Sequence, residues 1–89
     1  MDTVSIEENR LSQQIQAFPN PVTEFLSIKN SSNETLNFRL YNSKGELLIK
    51  NLNSRAANLK VNLAHLAKGI YLLNISDGVN HFTKKIIKN

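Results

Sequence analysis

Hydrophobic and polar residues alternate with a period of two in several short segments of the chain. The clearest case is Leu36, Phe38 and Leu40, which alternate with polar side chains. Successive side chains of a β-strand point to opposite faces, so this pattern predicts a strand with one buried face and one wet face. The same alternation recurs at 59–63 and, more briefly, at 26–28. These segments predict half-exposed antiparallel strands.

Two later segments show other patterns. Residues 70–75 are apolar at both parities, which predicts a central strand that is covered on two sides and forms the heart of the core. In the final segment, Phe82 and Ile86 lie on one parity and Ile87 on the other, so its inward face is ambiguous and a bulge would reconcile them. The predicted core residues are Leu36, Phe38, Leu40, Leu59, Val61, Leu63, Leu72 or Leu73, and Ile75.

Turn signals separate these segments at intervals of about 8 to 12 residues. Residues 42–45 (Asn-Ser-Lys-Gly) predict a type I turn closed by Gly45 in the left-handed conformation, and Asp77-Gly78 predicts a two-residue hairpin. Residues 64–69 predict a single helical turn capped by Gly69. The whole pattern predicts an all-β fold, an immunoglobulin-like antiparallel β-sandwich of about seven strands.

The first part of the chain does not share this pattern. Residues 1–16 are polar, with Ile6, Leu11 and Ile15 as scattered apolar positions. We therefore interpret 1–16 as a linker or lead-in segment and 17–89 as the folded domain.

Composition narrows the class of protein. The chain has 89 residues, of which 40% are hydrophobic and 20% charged, as in ordinary soluble domains with one core. It has no cysteine, which excludes disulfides and thiolate metal sites. It has no apolar run of about 18 residues for a membrane span, and residues 1–10 lack the features of a signal peptide. We expect an excised piece of a longer precursor whose export signal lies elsewhere.

The net charge of +4 is unevenly distributed. Residues 1–34 carry five acids and two bases, whereas residues 35–89 carry two acids and nine bases. Nucleic-acid binders cluster their bases with stacking aromatics or on a recognition helix. Here the bases are mostly single and interspersed along strands, so we expect a solvated polar face and no nucleic-acid partner.

The sequence offers little catalytic chemistry. Nucleophilic catalysis needs a base beside the nucleophile, and His65 and His81, both interpreted as surface or turn residues, are the only histidines. There is no glycine-rich phosphate loop and no metal-ligand spacing. We expect no enzyme, no cofactor and no metal. The acids near the predicted strands lie in turns or at strand ends and give no support for a catalytic pair: Glu24, Glu34, Glu46 and Asp77.

Three further features have structural explanations when each is taken alone. Pro19-Asn20-Pro21 fixes two backbone φ angles and removes two amide donors just before the first clear strand. Gly69 places a flexible residue two positions before Tyr71 in a strand. The final strand is basic, which protects an edge from aggregation; its lysines are Lys84, Lys85 and Lys88.

Taken in order, these motifs resemble a known family. The segments 17–22, 40–45, 63–73 and 83–88 are together similar to the type A C-terminal sorting domain of the type IX secretion system, and the resemblance covers 17–89. Such domains occur in the phylum that contains Bacteroides and Flavobacterium. The resemblance implies a secretion signal without catalytic activity.

The resemblance also implies a mechanism and partners. The precursor crosses the inner membrane by a separate N-terminal signal, and the outer-membrane translocon recognises the folded domain. A sortase-like surface protease then removes the domain, with the cut expected within residues 1–17, and in many cases attaches the cargo to surface lipopolysaccharide. The cargo would precede the domain and reach the cell surface or the medium through the periplasm.

We expect separate roles for the motif residues if the resemblance holds. The candidates for direct contact with the translocon are Lys84, Lys85 and Lys88, with strand addition at an exposed edge as one contact mode. The residues expected to hold the fold are Pro19, Asn20, Pro21, Gly45, Gly69 and Tyr71.

The main alternative is an immunoglobulin-like accessory module that binds carbohydrate or another cell-surface ligand, because a sandwich fold does not define a function. Carbohydrate sites usually present aromatic platforms. The aromatic residues of this chain must also supply the core, which would leave at most Tyr41 and Phe25 exposed. A glycan array or a pull-down discriminates the two hypotheses.

Overall fold

The computed structural model describes residues 11–89, which form seven β-strands. Residues 11–14, just before the first strand, are helical. The strands are β1 (Ile15–Phe18), β2 (Phe25–Asn30), β3 (Leu36–Asn42), β4 (Leu47–Ser54), β5 (Asn58–Asn62), β6 (Gly69–Ser76) and β7 (His81–Lys88).

The strands form two sheets with the core between them. β1, β2 and β5 form a three-stranded sheet in that order, and the larger sheet has the order β4-β3-β6-β7. Every pairing of neighbouring strands is antiparallel. The structure therefore confirms an all-β antiparallel sandwich of seven strands.

The core is built from the residues that alternate along the strands. Of the predicted core residues, Leu59 and Val61 are half-buried and pack against the core, and the others are buried. Leu73 is 3% exposed and Leu72 is 37% exposed, so Leu73 is the core residue of that pair. Each fully buried leucine or isoleucine stabilises the fold by about 1.5–3 kcal/mol. The buried apolar residues are Leu11, Ile15, Val22, Leu26, Ile28, Leu36, Phe38, Leu40, Leu63, Tyr71, Leu73, Ile75 and Ile86.

The central strand β6 differs from its prediction in one respect. It lies between β3 and β7, as a central strand should. However, it is not covered on both faces, because Ile70 is 49% exposed and Leu72 lies on the same outer face. Within the described chain, nothing packs on the outer face of the larger sheet. The second set of apolar residues in β6 therefore lies on the outer face of the sheet and not in a core.

The folded part begins earlier than the boundary predicted at residue 17. Leu11 and Ile15 are buried in the core, and β1 begins at Ile15. Residues 11–16 of the predicted lead-in thus contribute to the folded part, because two apolar side chains four residues apart reach the core through one helical turn and a short strand. Residues 1–10 of the predicted lead-in lie outside the described residues.

The turns agree only partly with their predictions. In the β3–β4 turn, Gly45 has φ 87° and donates its N–H to the carbonyl of Asn42 (3.0 Å), as predicted. The β6–β7 loop has four residues rather than two, because Ser76 pairs with His81. Between β5 and β6 there is one hydrogen-bonded turn, from Leu66 N–H to the Leu63 carbonyl, rather than a helical turn.

Bulges occur in a different strand pair from the one considered in the sequence. The register of β6 against β7 runs without a shift, so β7 has no bulge. The β3–β4 pair has two register shifts, one between Leu36 and Phe38 and one between Leu40 and Tyr41. Each shift places an extra residue in β4, which bends and twists this edge strand.

Candidate recognition surface on the last strand

The lysines of β7 lie on both faces of the larger sheet. Lys84 and Lys88 share the face of the buried Ile86, and Lys85 lies on the opposite face with Ile87. Alternation along a strand produces this separation. The three predicted translocon contacts therefore do not form one continuous patch.

Lys88 is buried, contrary to the expectation of an exposed lysine. Only 7% of its surface is exposed, and its Nζ donates a hydrogen bond to the Asn89 carbonyl (3.2 Å). The reason is parity, because Lys88 follows Ile86 on the inner face and bridges to Val22. Lys84 is half-buried, and Lys85 is exposed.

Lys85 lies in an apolar part of the outer face. Its cross-strand neighbour is Leu72 of β6, and the neighbour of Leu72 on β3 is Tyr41. Ile70 and Ile87, which also pair with each other, lie beside this row and are exposed. The outer face thus combines one exposed cation with exposed aliphatic side chains.

The side chain of Asn20 takes the place of a neighbouring strand at the edge of β7. Its Nδ2 donates to the Lys85 carbonyl (3.0 Å), and its Oδ1 accepts from the Ile87 N–H (2.9 Å). An asparagine side chain carries the same donor and acceptor types as a peptide unit. Asn20 therefore satisfies two outward-pointing backbone groups that an edge strand would otherwise leave open.

The backbone beside Asn20 extends this contact. The Val22 N–H donates to the Ile87 carbonyl (2.8 Å), and the Asn89 N–H donates to the Val22 carbonyl (2.9 Å). The side chain of Val22 is fully buried. Pro19 and Pro21 are exposed and follow cis peptide bonds. The β1–β2 connection thus crosses from the smaller sheet to the larger one and covers the final residues of β7.

The other motif residues lie at the ends of β6 and β3. Gly69 is the first residue of β6, pairs with Lys88 and has φ 154°, a value that other residues rarely adopt. The hydroxyl group of the buried Tyr71 donates to the Ala67 carbonyl, which fixes the β5–β6 connection against β6.

The described residues show no assembled catalytic or metal centre. His65 lies in the β5–β6 connection, His81 is the first residue of β7, and both are exposed. Among residues 11–89, no group of three His, Asp or Glu side chains could hold a metal ion. The cavity in the core measures about 20 Å³ and is lined almost wholly by apolar side chains, such as Leu26, Phe38 and Leu63. It has room for little more than one water molecule.

Two phenylalanines are exposed, and the sequence allowed for the exposure of only one of them, Phe25. Phe18 is 47% exposed and Phe25 is 43% exposed, whereas Tyr41 is half-buried. Both rings lie on the outer face of the smaller sheet, because alternation directs Ile15 and Leu26 inward. The expectation that Phe18 belongs to the core is therefore wrong.

Comparison with solved structures defines the class of protein. The chain is similar to a DUF3244 family protein from Bacteroides vulgatus ATCC 8482, which has an immunoglobulin-like β-sandwich fold. The TM-score is 0.72 with 22% sequence identity, and the match covers 85% of each chain. At this identity the likeness establishes the fold alone, an immunoglobulin-like β-sandwich. No curated protein matches the chain.

The family follows from the sequence match. Residues 16–89 match the family described as the secretion system C-terminal sorting domain, and the chain belongs to this family. It is a sorting domain of the type IX secretion system. Such a domain marks a protein for export to the cell surface or for secretion. No helix in the described residues is long and apolar enough to cross a membrane.

Proposed function

We propose that this domain directs a protein attached to its N-terminal side across the outer membrane through the type IX translocon, and that a sortase-like surface protease then removes it. The observation that carries this proposal is the family match, which spans all seven strands except the first residue of β1. The domain acts as a recognised shape and has no catalytic role.

The exposed part of β7 is the contact region. Lys85 is exposed beside Leu72 on the outer face, so it can approach a partner without rearrangement of the fold. Lys84 is half-buried on the other face. The burial of Lys88 favours a role in the fold, where its ammonium group bonds to the Asn89 carbonyl. Of the three lysines, Lys85 is the candidate for direct contact.

The protease cuts upstream of the folded part. Leu11 and Ile15 are buried, and residues 15–18 form β1. Cleavage within this region would require the protease to displace core side chains. The family implies a cut within 1–17, and the burial of Leu11 and Ile15 favours a cut before Leu11.

The export test uses the whole chain. Residues 1–89 are fused to a carrier that has a periplasmic signal peptide, in a bacterium with a type IX system. The carrier should appear at the cell surface or in the medium, and deletion of residues 84–89 should retain it in the periplasm. If residues 1–89 export no carrier, the proposed function is wrong.

Single charge reversals test the contact region. Lys85→Glu should retain the carrier in the periplasm, because the exposed cation is replaced by an anion. Lys29→Glu is the matched control, since Lys29 is an exposed lysine on the other sheet. Thermal unfolding of both purified variants establishes that they fold. Normal export of a folded Lys85→Glu variant would show that the translocon does not read this lysine.

Carbohydrate binding is the second candidate function, and the exposed Phe18 and Phe25 favour it. Aromatic rings offer large, rigid contact areas. The Nζ of Lys60 lies 5.1 Å from the centre of the Phe25 ring and covers part of it, which reduces the free platform. A glycan array probed with the intact domain and with Phe18→Ala tests this function. Binding that is lost in the variant would support it.

A further inference from the structure

The edge strand β4 has no cover within the described part of the chain. It lies at the opposite end of the larger sheet from β7, and β3 is its only strand neighbour. Alternate N–H and C=O groups of an edge strand point away from the sheet and can pair with another strand. β4 is eight residues long and contains no proline. Its register with β3 is regular at residues 49–51, between the two bulges, so the regular backbone edge that it offers to an added strand is short and centred on Lys50.

The side chains of β4 give this edge a defined chemistry. Leu48, Lys50 and Leu52 alternate along the strand and are exposed, whereas Ile49 and Asn51 are turned inward and half-buried. Lys50 is the only charged residue of the strand. The exposed side chains beside the open edge are therefore apolar, basic and apolar, in that order.

A second base strengthens the positive charge of this row. Arg39 of β3 is the cross-strand partner of Lys50. Like charges directly opposite each other destabilise a sheet. Neither residue forms an ion pair within the described chain, and no acid occurs in β3, β4, β6 or β7. A carboxylate supplied from outside would relieve this repulsion.

We propose that the β4 edge accepts an extended segment of a partner protein, in which an acidic residue faces Lys50 and apolar residues two positions away on each side face Leu48 and Leu52. Strand addition of this kind takes affinity from backbone hydrogen bonds and specificity from alternate side chains. A second copy of the chain is a poor occupant. Symmetric pairing that aligns the faces and is centred on Lys50 places this lysine opposite Lys50 of the other copy.

The test uses peptides with the proposed pattern. The ¹⁵N-labelled chain is titrated with the acetylated, amidated peptide Thr-Val-Thr-Glu-Thr-Val-Thr and with the same peptide carrying lysine in place of glutamate. Saturable amide shifts should be confined to β4 and neighbouring residues of β3. Binding of the lysine peptide should be about tenfold weaker, because an attractive cross-strand charge pair becomes a repulsive one.

Two charge reversals assign the effect to β4. Lys50→Glu should reverse the preference between the two peptides. Lys60→Glu is the matched control, since Lys60 is an exposed lysine on β5, an edge strand of the other sheet, and it should leave the preference unchanged.

Three outcomes would overturn the proposal. The first is the absence of saturable binding by the acidic peptide, in which case Lys50 only guards the edge against aggregation. The second is binding that maps to β5 or β7, or that Lys50→Glu does not change. The third is a dimer formed through β4 without peptide, detected by sedimentation. None of these outcomes depends on export, so the proposed sorting function is tested separately.

Discussion

The two edges of the larger sheet are built in opposite ways. The final residues of β7 are covered by the β1–β2 connection, with Asn20 and Val22 bonded to its backbone. β4 has no such cover within the described chain and exposes leucines beside a single lysine. Both strands are eight residues long, so length does not explain the difference.

The difference shows that the domain holds one edge of the larger sheet in place and leaves the backbone of the other edge open. An edge strand leaves backbone groups open unless other residues bond to them, and Asn20 bonds to two such groups of β7. An open edge risks uncontrolled association, and the two bulges of β4 together with Lys50 reduce that risk. The covered edge thus presents a fixed surface through its outer side chains, whereas the open edge presents its backbone.

We expect the largest loss of stability from a substitution in the core, on the strand that lies next to β4 in the larger sheet. Phe38 is 4% exposed and lies on β3, between β4 and β6. Phe38→Ala should lower the free energy of unfolding by about 3–5 kcal/mol, and chemical denaturation measures the loss. Arg39→Ala, on the exposed face of the same strand, is the control and should stay within about 1 kcal/mol. Equal losses in the two variants would contradict the described core.

Asn20→Ala should affect the β7 edge and leave the β4 edge unchanged. The change removes two hydrogen bonds, each with a net contribution of about 0.5–1.5 kcal/mol, so the loss should be about 1–3 kcal/mol. Amide exchange at Ile87 should accelerate while exchange in β4 stays unchanged. Asn58→Ala replaces an exposed asparagine of β5 and is the control. It should change neither the free energy of unfolding nor the amide exchange at Ile87. Unchanged exchange at Ile87 in the Asn20 variant would show that the backbone contacts of Val22 alone hold β7.

A smaller effect is expected at the turn that leads into β7. Hydrogen bonds from the backbone N–H groups of Asn80 and Val79 lower the pKa of Asp77. An unfolded aspartate has a pKa of about 3.9, so this contribution is fully present above about pH 5. It is lost as the pH falls through the lower folded pKa.

Asp77→Asn tests this contribution. It should cost less than about 1 kcal/mol at neutral pH, because solvent screens the exposed carboxylate. The variant should also lack this part of the acid dependence in thermal unfolding between about pH 2 and 5. The same acid dependence in the variant and the original chain would exclude Asp77 as its source.

We expect the smallest effect on stability from two substitutions that exchange leucine and lysine between the two edge strands. They should have a clear effect on solubility. Leu52→Lys on β4 should reduce aggregation and change stability by less than about 0.5 kcal/mol. Lys85→Leu on β7 should increase aggregation through the outer face. Light scattering at a matched fraction of folded protein compares the two. If Leu52→Lys leaves aggregation unchanged, the open edge is not the site of association.

The sequence predicted the strands whose side chains alternate without interruption. β3 and β5 were recognised because each alternation runs through the whole strand. β4 was not recognised, because its bulges interrupt the period and residues 50–54 are mostly polar. The first two residues of β1 were assigned to the lead-in, because a strand of four residues is too short to show a period.

The candidate site was less predictable than the fold. The basic strand was evident, but the burial of Lys88 depends on a parity that Ile86 and Ile87 leave ambiguous in the sequence. The partners of Asn20 lie 65 and 67 residues away along the chain, so no local pattern identifies them. The neighbouring positions of Arg39 and Lys50 likewise follow from the register of two strands, not from their spacing.

The contact between Asn20 and β7 has a consequence for quality control during export. Asn20 is synthesised before residues 85–89, and its side chain bonds to the backbone of Lys85 and Ile87 only after the two ends of the domain have come together. A chain that is truncated before residue 85 cannot form this contact. A receptor that recognises the outer side chains of β7 in this bonded state would therefore distinguish chains whose β1–β2 connection has met β7 from chains in which it has not.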